Sequence, residues 1–325
     1  MLLASIRLGF FLATLVASLQ VAAETRYWTL TGVQLEDGAV ATGYFGYDDA
    51  TGTIANWNVR LSGGAGPFIP WTFVPGNSHE WPTAPAFAPD FYVYSGIVPY
   101  VVRGGFWWRS LVITPVVPLD GSSTSVLIDV SRSHEFFEDD NFYAGPSRKI
   151  IAGSLALTTL PPPVTIVRVD EFYHSRLLHY FMTADAAEKR LLDTGVHPGW
   201  ERTGESFKAY ATGSSAHGSI NPVCRYYGDP ARGLDSHFYS ADSRDECVSV
   251  FVKFPSEWLL ESDNVFQISL PDMATGACPV GTIPVYRLWN QRVDSNHRYT
   301  TSAAIKAQML AAGYFAEGVV MCAVQ

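Results

Sequence analysis

Three histidines in the second half of the chain, His179, His237 and His297, each sit in a short aromatic run. Three imidazoles brought together would be a ligand set for a zinc ion with an open fourth position. The runs are His179-Tyr180-Phe181-Met182-Thr183, Ser236-His237-Phe238-Tyr239-Ser240 and Asn296-His297-Arg298-Tyr299-Thr300. Aligned on their closing Thr or Ser, they place Tyr180, not His179, opposite His237 and His297. A slip of one residue sends a strand side chain to the other face of its sheet. Two histidines in three slots, with no Cys-x-x-Cys or His-x-x-x-His pair in the chain, do not make a zinc site, so no metal and no cofactor is expected. His237 and His297 are expected to hydrogen-bond across the joints between repeats.

The same runs offer a second chemistry. Tyr239, Tyr299, Trp200, Trp258 and Tyr314 are flat rings on which a sugar could stack, with histidines and carboxylates meeting its hydroxyls. Each such ring also buries roughly 150–250 Å² when packed, so core filling is the commoner use of residues of this kind. The candidate ligand-binding set is Tyr180, His237, Tyr239, His297, Tyr299, Trp200 and Trp258. A third candidate is the acidic run Glu135-Phe136-Phe137-Glu138-Asp139-Asp140-Asn141, dense enough to interest calcium. Its spacing matches no calcium loop, and a solvated β-loop is expected there. Gly-x-Ser-x-Gly, His-Glu-x-x-His, Gly-x-x-x-x-Gly-Lys and Gly-x-Gly-x-x-Gly are all absent. A glycosidase needs only two carboxylates from distant strands, so an extracellular hydrolase stays open as an alternative.

The elements that must position these residues recur. An aromatic strand (Phe172-Tyr173; Arg225-Tyr226-Tyr227; Arg287-Leu288-Trp289) precedes each histidine-bearing strand. A short helix follows, with Asp185, Asp242 or Ser302 as its N-cap, and Glu188 and Asp245 fall three residues after their caps. A closing strand comes last: Trp200-Glu201-Arg202-Thr203-Gly204, Trp258-Leu259-Leu260-Glu261-Ser262 and Tyr314-Phe315-Ala316-Glu317-Gly318. Thr183 to Ser240 is 57 residues and Ser240 to Thr300 is 60. Three copies of a unit too small to bury its own apolar face should stack into one pseudo-threefold body, trefoil-like or small-propeller-like, with one short helix per repeat.

Upstream the pattern changes. Leu160-Pro161-Pro162-Pro163-Val164 is a stiff, donor-poor hinge. Before it, Tyr27–Leu35, Ala39–Tyr47 and Thr53–Leu61 alternate large and small side chains between Asp/Gly turns, and further β-rich runs follow at 91–102, 110–117, 125–130 and 149–157. An antiparallel β-sandwich of jelly-roll or immunoglobulin-like type is expected. Met1–Ala23 has Arg7, the apolar stretch Leu8–Leu19 and Val21-Ala22-Ala23, and reads as a signal peptide cleaved after Ala23, leaving no membrane span. The four cysteines, Cys224, Cys247, Cys278 and Cys322, suit an oxidising compartment. They allow three pairings, of which Cys224–Cys247 with Cys278–Cys322 keeps each bridge within a repeat. The division is therefore 1–23 signal, 24–160 sandwich, 161–164 linker and 165–325 repeat domain, with repeats at about 165–211, 222–270 and 284–325.

Composition narrows the partners. The 325 residues are 47% hydrophobic, 14% aromatic and only 16% charged, with a formal charge of −9. Disorder and coiled coil are excluded. No Lys/Arg run supplies the positive footprint of a nucleic-acid binder or a basic membrane-surface protein.

Two resemblances follow from these motifs. Residues 165–325 resemble a three-copy His-Phe-Tyr-Thr repeat domain of unknown function found in secreted bacterial and fungal proteins, recognised also by a Trp-x-x-Glu-Gly strand. Copy one departs from it at Tyr180 and Met182, and copy three at Arg298. Tyr27-Trp28-Thr29-Leu30-Thr31-Gly32-Val33 with Ala41-Thr42-Gly43-Tyr44-Phe45 resembles the start of a β-rich domain of exported proteobacterial proteins. The sorting tail often joined to that domain has no counterpart here, so release is expected. The repeat domain sometimes accompanies polysaccharide hydrolases, which implies an accessory role. The reading is a secreted, non-catalytic binding or adhesion protein recognising glycan or another envelope component. A glycan-directed hydrolase with its site in the N-terminal half and a structural matrix protein are the alternatives.

Overall fold

The computed structural model describes residues 25–64, 67–80, 91–99, 106–138, 144–158, 160–215 and 220–325. The signal-peptide segment lies outside them, as do Asp139, Asp140 and Asn141 of the acidic run. The protein is mainly β.

The N-terminal strands are β1 (Thr25–Leu35), β2 (Val40–Asp48), β3 (Thr53–Ser62), β4 (Trp71–Phe73), β5 (His79–Glu80), β6 (Phe91–Pro99), β7 (Phe106–Ile113), β8 (Ser125–Leu127), β9 (His134–Glu138) and β10 (Ala144–Thr158). They form one antiparallel sheet in the order β4-β3-β2-β1-β10-β9-β7-β6-β5, with β8 also on β10. The 15-residue β10 serves both arms: its first part pairs with β9 and its last part with β1. The sheet is thus curled as a half-barrel whose arms enclose one core, as the layers of a sandwich do. Phe45 of β2 stacks on Phe91 of β6 at 4.5 Å across that core, with Trp28, Leu61 and Phe73 buried around them. At Gly43 (φ +119°) a Cβ would come within 1.9 Å of the Asn58 carbonyl oxygen, so β2 can approach β3 there only with glycine.

The acidic run corrects the expectation of a solvated loop. Glu135 lies in β9, is fully buried, and its carboxylate bridges Arg109 and Arg148, which are themselves buried. Arg148 also reaches Asp37, and both guanidinium groups lie over the Phe68 ring. A charge in a core persists only when paired in this way.

The C-terminal half repeats one β-β-α-β plan. Its elements are β11 (Ile166–His174), β12 (His179–Thr183), α1 (Ala186–Asp193) and β13 (Trp200–Tyr210); then β14 (Ile220–Pro222), β15 (Cys224–Gly228), β16 (His237–Ser240), α2 (Val248–Lys253) and β17 (Trp258–Ser262). After β18 (Gln267–Ser269) come β19 (Thr282–Trp289), β20 (His297–Thr300), α3 (Ala303–Ala311) and β21 (Phe315–Val324). In every unit the first strand lies between the other two, giving β12-β11-β13, β16-β15-β17 and β20-β19-β21. The cap side chains of Asp185, Asp242 and Ser302 accept from the amide three residues on, which fixes where α1 and α3 start and where the chain of unit two begins to turn. In unit two a wide turn, Ser243–Cys247, precedes α2. Disulfides join Cys224 to Cys247 and Cys278 to Cys322.

The two halves share buried contacts. Val248 and Val252 of α2 pack into the N-terminal core. Asp263 accepts from Arg60 and Thr72, and Asn58 donates to the Ser214 carbonyl and to Gln267. The helix of unit two is therefore committed to the N-terminal sheet.

Candidate functional site

The strand registers define equivalent slots in the three units. Glu171, Arg225 and Arg287 face Met182, Tyr239 and Tyr299 across their strand pairs. One step along, Phe172, Tyr226 and Leu288 face Phe181, Phe238 and Arg298. One step further, Tyr173, Tyr227 and Trp289 face Tyr180, His237 and His297.

The tyrosine slot ties the units together at their centre. The Tyr239 hydroxyl donates to the Met182 carbonyl at 2.7 Å, and the Tyr299 hydroxyl donates to the Tyr239 carbonyl at 2.8 Å. Both rings are buried, 1% and 6% exposed, and burial is the main cause that pushes both hydroxyls above the ordinary tyrosine value. A second ring of contacts surrounds the residues just before the histidine slot. His179 Nδ1 lies 2.8 Å from the Asp235 carbonyl, the Ser236 hydroxyl donates to the Ser295 carbonyl, and the Asn296 side-chain amide donates to the Tyr180 carbonyl. The residue preceding each of these three, Leu178, Asp235 and Ser295, has positive φ (58°, 46° and 49°). A left-handed residue other than glycine carries strain, and its repetition here shows that one tight hairpin geometry serves all three units.

The joint between units one and two is built from a single cluster. Arg225 lies over the Phe181 ring, 5.3 Å from its centroid, and pairs with Glu188 of α1 at 2.9 Å and with Glu261 of β17 at 2.7 Å. His237 Nε2 is 3.4 Å from the same Glu261 and stands edge-on to Phe181. The joint between units two and three repeats this arrangement with Arg287 over Phe238, Glu246, Glu317 and His297. Glu246 stands four residues after its cap where Glu188 stands three, and the wide turn of unit two accommodates the extra residue.

A cleft of about 490 Å³ opens at the joint of units one and two. The rings of Phe181, Trp200 and Tyr227, the imidazoles of His174, His197 and His237, the carboxylates of Glu188, Asp235 and Glu261, and Arg176 line it. Its size falls in the roughly 300–1,000 Å³ range of small-molecule sites. A second cavity, beside Trp71 and Cys247 between the two halves, holds only about 20 Å³.

The polar groups of the cleft are held in fixed states. His174 Nδ1 accepts from the Leu177 amide at 3.2 Å, which puts the ring proton on Nε2, and the ring meets Trp200 edge-on at 5.3 Å. The Tyr227 hydroxyl donates to Asp235 at 2.8 Å and is pushed up to about 12, by burial first and then by that carboxylate. Burial alone would raise the Glu261 carboxyl. The hydrogen bond from His237 and the charge of Arg225 outweigh it and hold the group below the ordinary glutamate value. Burial acts to lower Arg225, and the charges of Glu188 and Glu261 are among the influences that hold it above the ordinary arginine value all the same. Two glutamates clamped on one guanidinium present oriented acceptors. Glu261, held low, is poorly suited to act as a general acid, which needs a raised pKa.

Of the residues singled out from sequence, Trp200 and His237 line the cleft. Tyr239 and Tyr299 carry the central ties described above. Tyr180 lies under the Arg298 guanidinium, 4.3 Å from the ring centroid, and burial first of all pushes its hydroxyl up to about 12. Trp258 packs edge-on to Phe238, and His297 is buried against Glu317. His174, Glu188, Tyr227, Asp235 and Glu261 were not singled out for ligand contact. Their signal was available only in part: Glu261 and Glu317 recur in the closing strands, and Arg225 and Arg287 in the first strands, whereas His174 and Asp235 recur nowhere.

Residues 168–324 match the family model described as Domain of unknown function (DUF5648). The match begins within β11 and ends with the last residue of β21, so it spans all three units and the cleft. No curated protein and no solved structure matches the chain. Among the described residues, no helix is long and apolar enough to cross a membrane, and no group of His, Cys, Asp and Glu is placed to hold a metal ion.

Proposed function

We propose that the protein is an exported, non-catalytic binding protein that holds a glycan, of the cell envelope or its surroundings, in the cleft between the first and second DUF5648 units. The carrying observation is the cleft itself, where three aromatic rings stand beside carboxylates and imidazoles whose orientations are already set. Saccharide recognition needs this combination: apolar ring faces for the C–H side of a sugar, and fixed donors and acceptors for its hydroxyls. Preset groups also lose little freedom when a ligand arrives. Export is supported by the N-terminal sequence and by two disulfides, which persist in oxidising compartments.

A glycan array and a cell-wall pull-down with the full mature chain test the reading. Retention by the native protein, weakened by Trp200→Ala and by Tyr227→Ala, supports it. Absence of retention in both assays overturns it.

A further inference from the structure

We propose that the cleft selects a glycan bearing protonated amino groups, an oligomer of de-N-acetylated hexosamine, over its N-acetylated and acidic counterparts; this deepens the glycan reading and rests on it. Among the carboxylates and guanidinium groups at the cleft, acid outnumbers base: Glu188, Asp235 and Glu261 stand against Arg176 and the Arg225 that Glu188 and Glu261 share, three formal negative charges to two positive.

The clamp leaves acceptors to spare. Arg225 engages Oε2 of Glu188 and Oε2 of Glu261, and His237 also faces Oε2 of Glu261. Oε1 of each glutamate has no hydrogen-bond partner among the described residues. Two carboxylate oxygens anchored to one guanidinium and turned to a cleft make a seat for an ammonium group, which donates three hydrogen bonds and accepts none. The rings of Trp200 and Tyr227 add faces that attract a cation.

A donor stands among these acceptors. His174 is only 8% exposed, its Nδ1 is used by the Leu177 amide, and its Nε2–H has no partner among the described residues. That N–H lines the cleft, where a ligand oxygen can accept from it. A sugar carrying both an ammonium and hydroxyl oxygens satisfies the glutamates and His174 at once. An N-acetyl group removes the charge, and a uronate sets a carboxylate against Glu188 and Glu261.

Calorimetric titration of the mature protein with three tetrasaccharides tests this: a glucosamine tetramer, its N-acetylated form and a galacturonate tetramer, at pH 6 and at two salt concentrations. The glucosamine tetramer should bind about tenfold tighter than the acetylated one, as a charge-assisted hydrogen bond outdoes a neutral one. That advantage should shrink as salt rises, and the galacturonate should not bind. Glu188→Gln, which keeps the side chain's size at this half-buried position but removes one charge of the seat, should cut the preference for the glucosamine tetramer. Equal or tighter binding of the acetylated or acidic tetramer overturns the inference and leaves the glycan reading standing, as does an unchanged preference in Glu188→Gln. A blank glycan array together with no heat from any tetramer removes both.

Discussion

Glu171 and Arg298 pair with each other from slots that the other units give to arginine and to phenylalanine. Where units two and three place Arg225 and Arg287, unit one has Glu171; where units one and two place Phe181 and Phe238, unit three has Arg298. The two meet in a bidentate pair, 2.8 and 2.9 Å, at the joint that closes the ring from unit three back to unit one. Thr203, in the place of Glu261 and Glu317, donates to Glu171 at 2.8 Å, and Arg298 lies over Tyr180, which fills the histidine slot. Three departures of unit one, Glu171, Tyr180 and Thr203, thus gather with Arg298 of unit three at one joint.

Arg298→Phe restores the motif at one position and should nonetheless destabilise the protein. It leaves Glu171, 6% exposed, without its charge partner, and breaking a buried pair costs about 3–5 kcal/mol. Adding Glu171→Arg and Thr203→Glu rebuilds the arrangement of the other two joints and should recover most of that loss. Urea unfolding of the single and triple variants measures both.

The expected three-copy body and the helix starts of units one and three were legible because they depend on local spacing, a cap, a helix, then a strand; in unit two the wide turn Ser243–Cys247 delays α2 to Val248. The slip that placed Tyr180 opposite His237 was legible for the same reason, since Thr183, Ser240 and Thr300 fix the frame. The cleft was not. It depends on Tyr227 and Asp235 of one unit arriving beside His174 and Trp200 of another, and on Arg225 pulling two glutamates together, none of which leaves a spacing in the chain. Glu135 was misread because four carboxylates within seven residues suggest solvent, whereas its partners Arg109 and Arg148 lie on strands read only as hydrophobic pattern. Strands β4, β5 and β9 are two to five residues long, too short for alternation to declare them.

Glu135→Gln should destabilise the N-terminal half strongly. The substitution keeps shape but strips the one carboxylate shared by Arg109 and Arg148, leaving Arg109 without a counter-charge in a site where both are buried. About 3–5 kcal/mol is expected for breaking such a pair. Replacing Arg109 and Glu135 together by Met and Leu removes charge of both signs and should cost less than Glu135→Gln alone. Thermal and urea unfolding distinguish the two; equal losses would mean that the charges themselves matter little.

Acid should loosen the joints between the units. Burial acts to raise the carboxyls of Glu246, Glu261 and Glu317, yet bonds from Arg287, His237 and His297 hold all three below the ordinary glutamate value. A carboxyl whose pKa is lower folded than unfolded contributes its stability above the unfolded value and loses it as pH falls through the folded one. The unfolded value is about 4.3 for glutamate. Stability should therefore be full just above that pH and should decline as the pH falls below it. Arg287, left between protonated Glu246 and Glu317, would then be a buried charge with nothing to offset it. Unfolding midpoints followed from neutral pH down to about pH 3 give the profile. Glu261→Gln should flatten its acid limb and lower the neutral plateau, and a variant whose acid limb matches the native one would place the loss elsewhere.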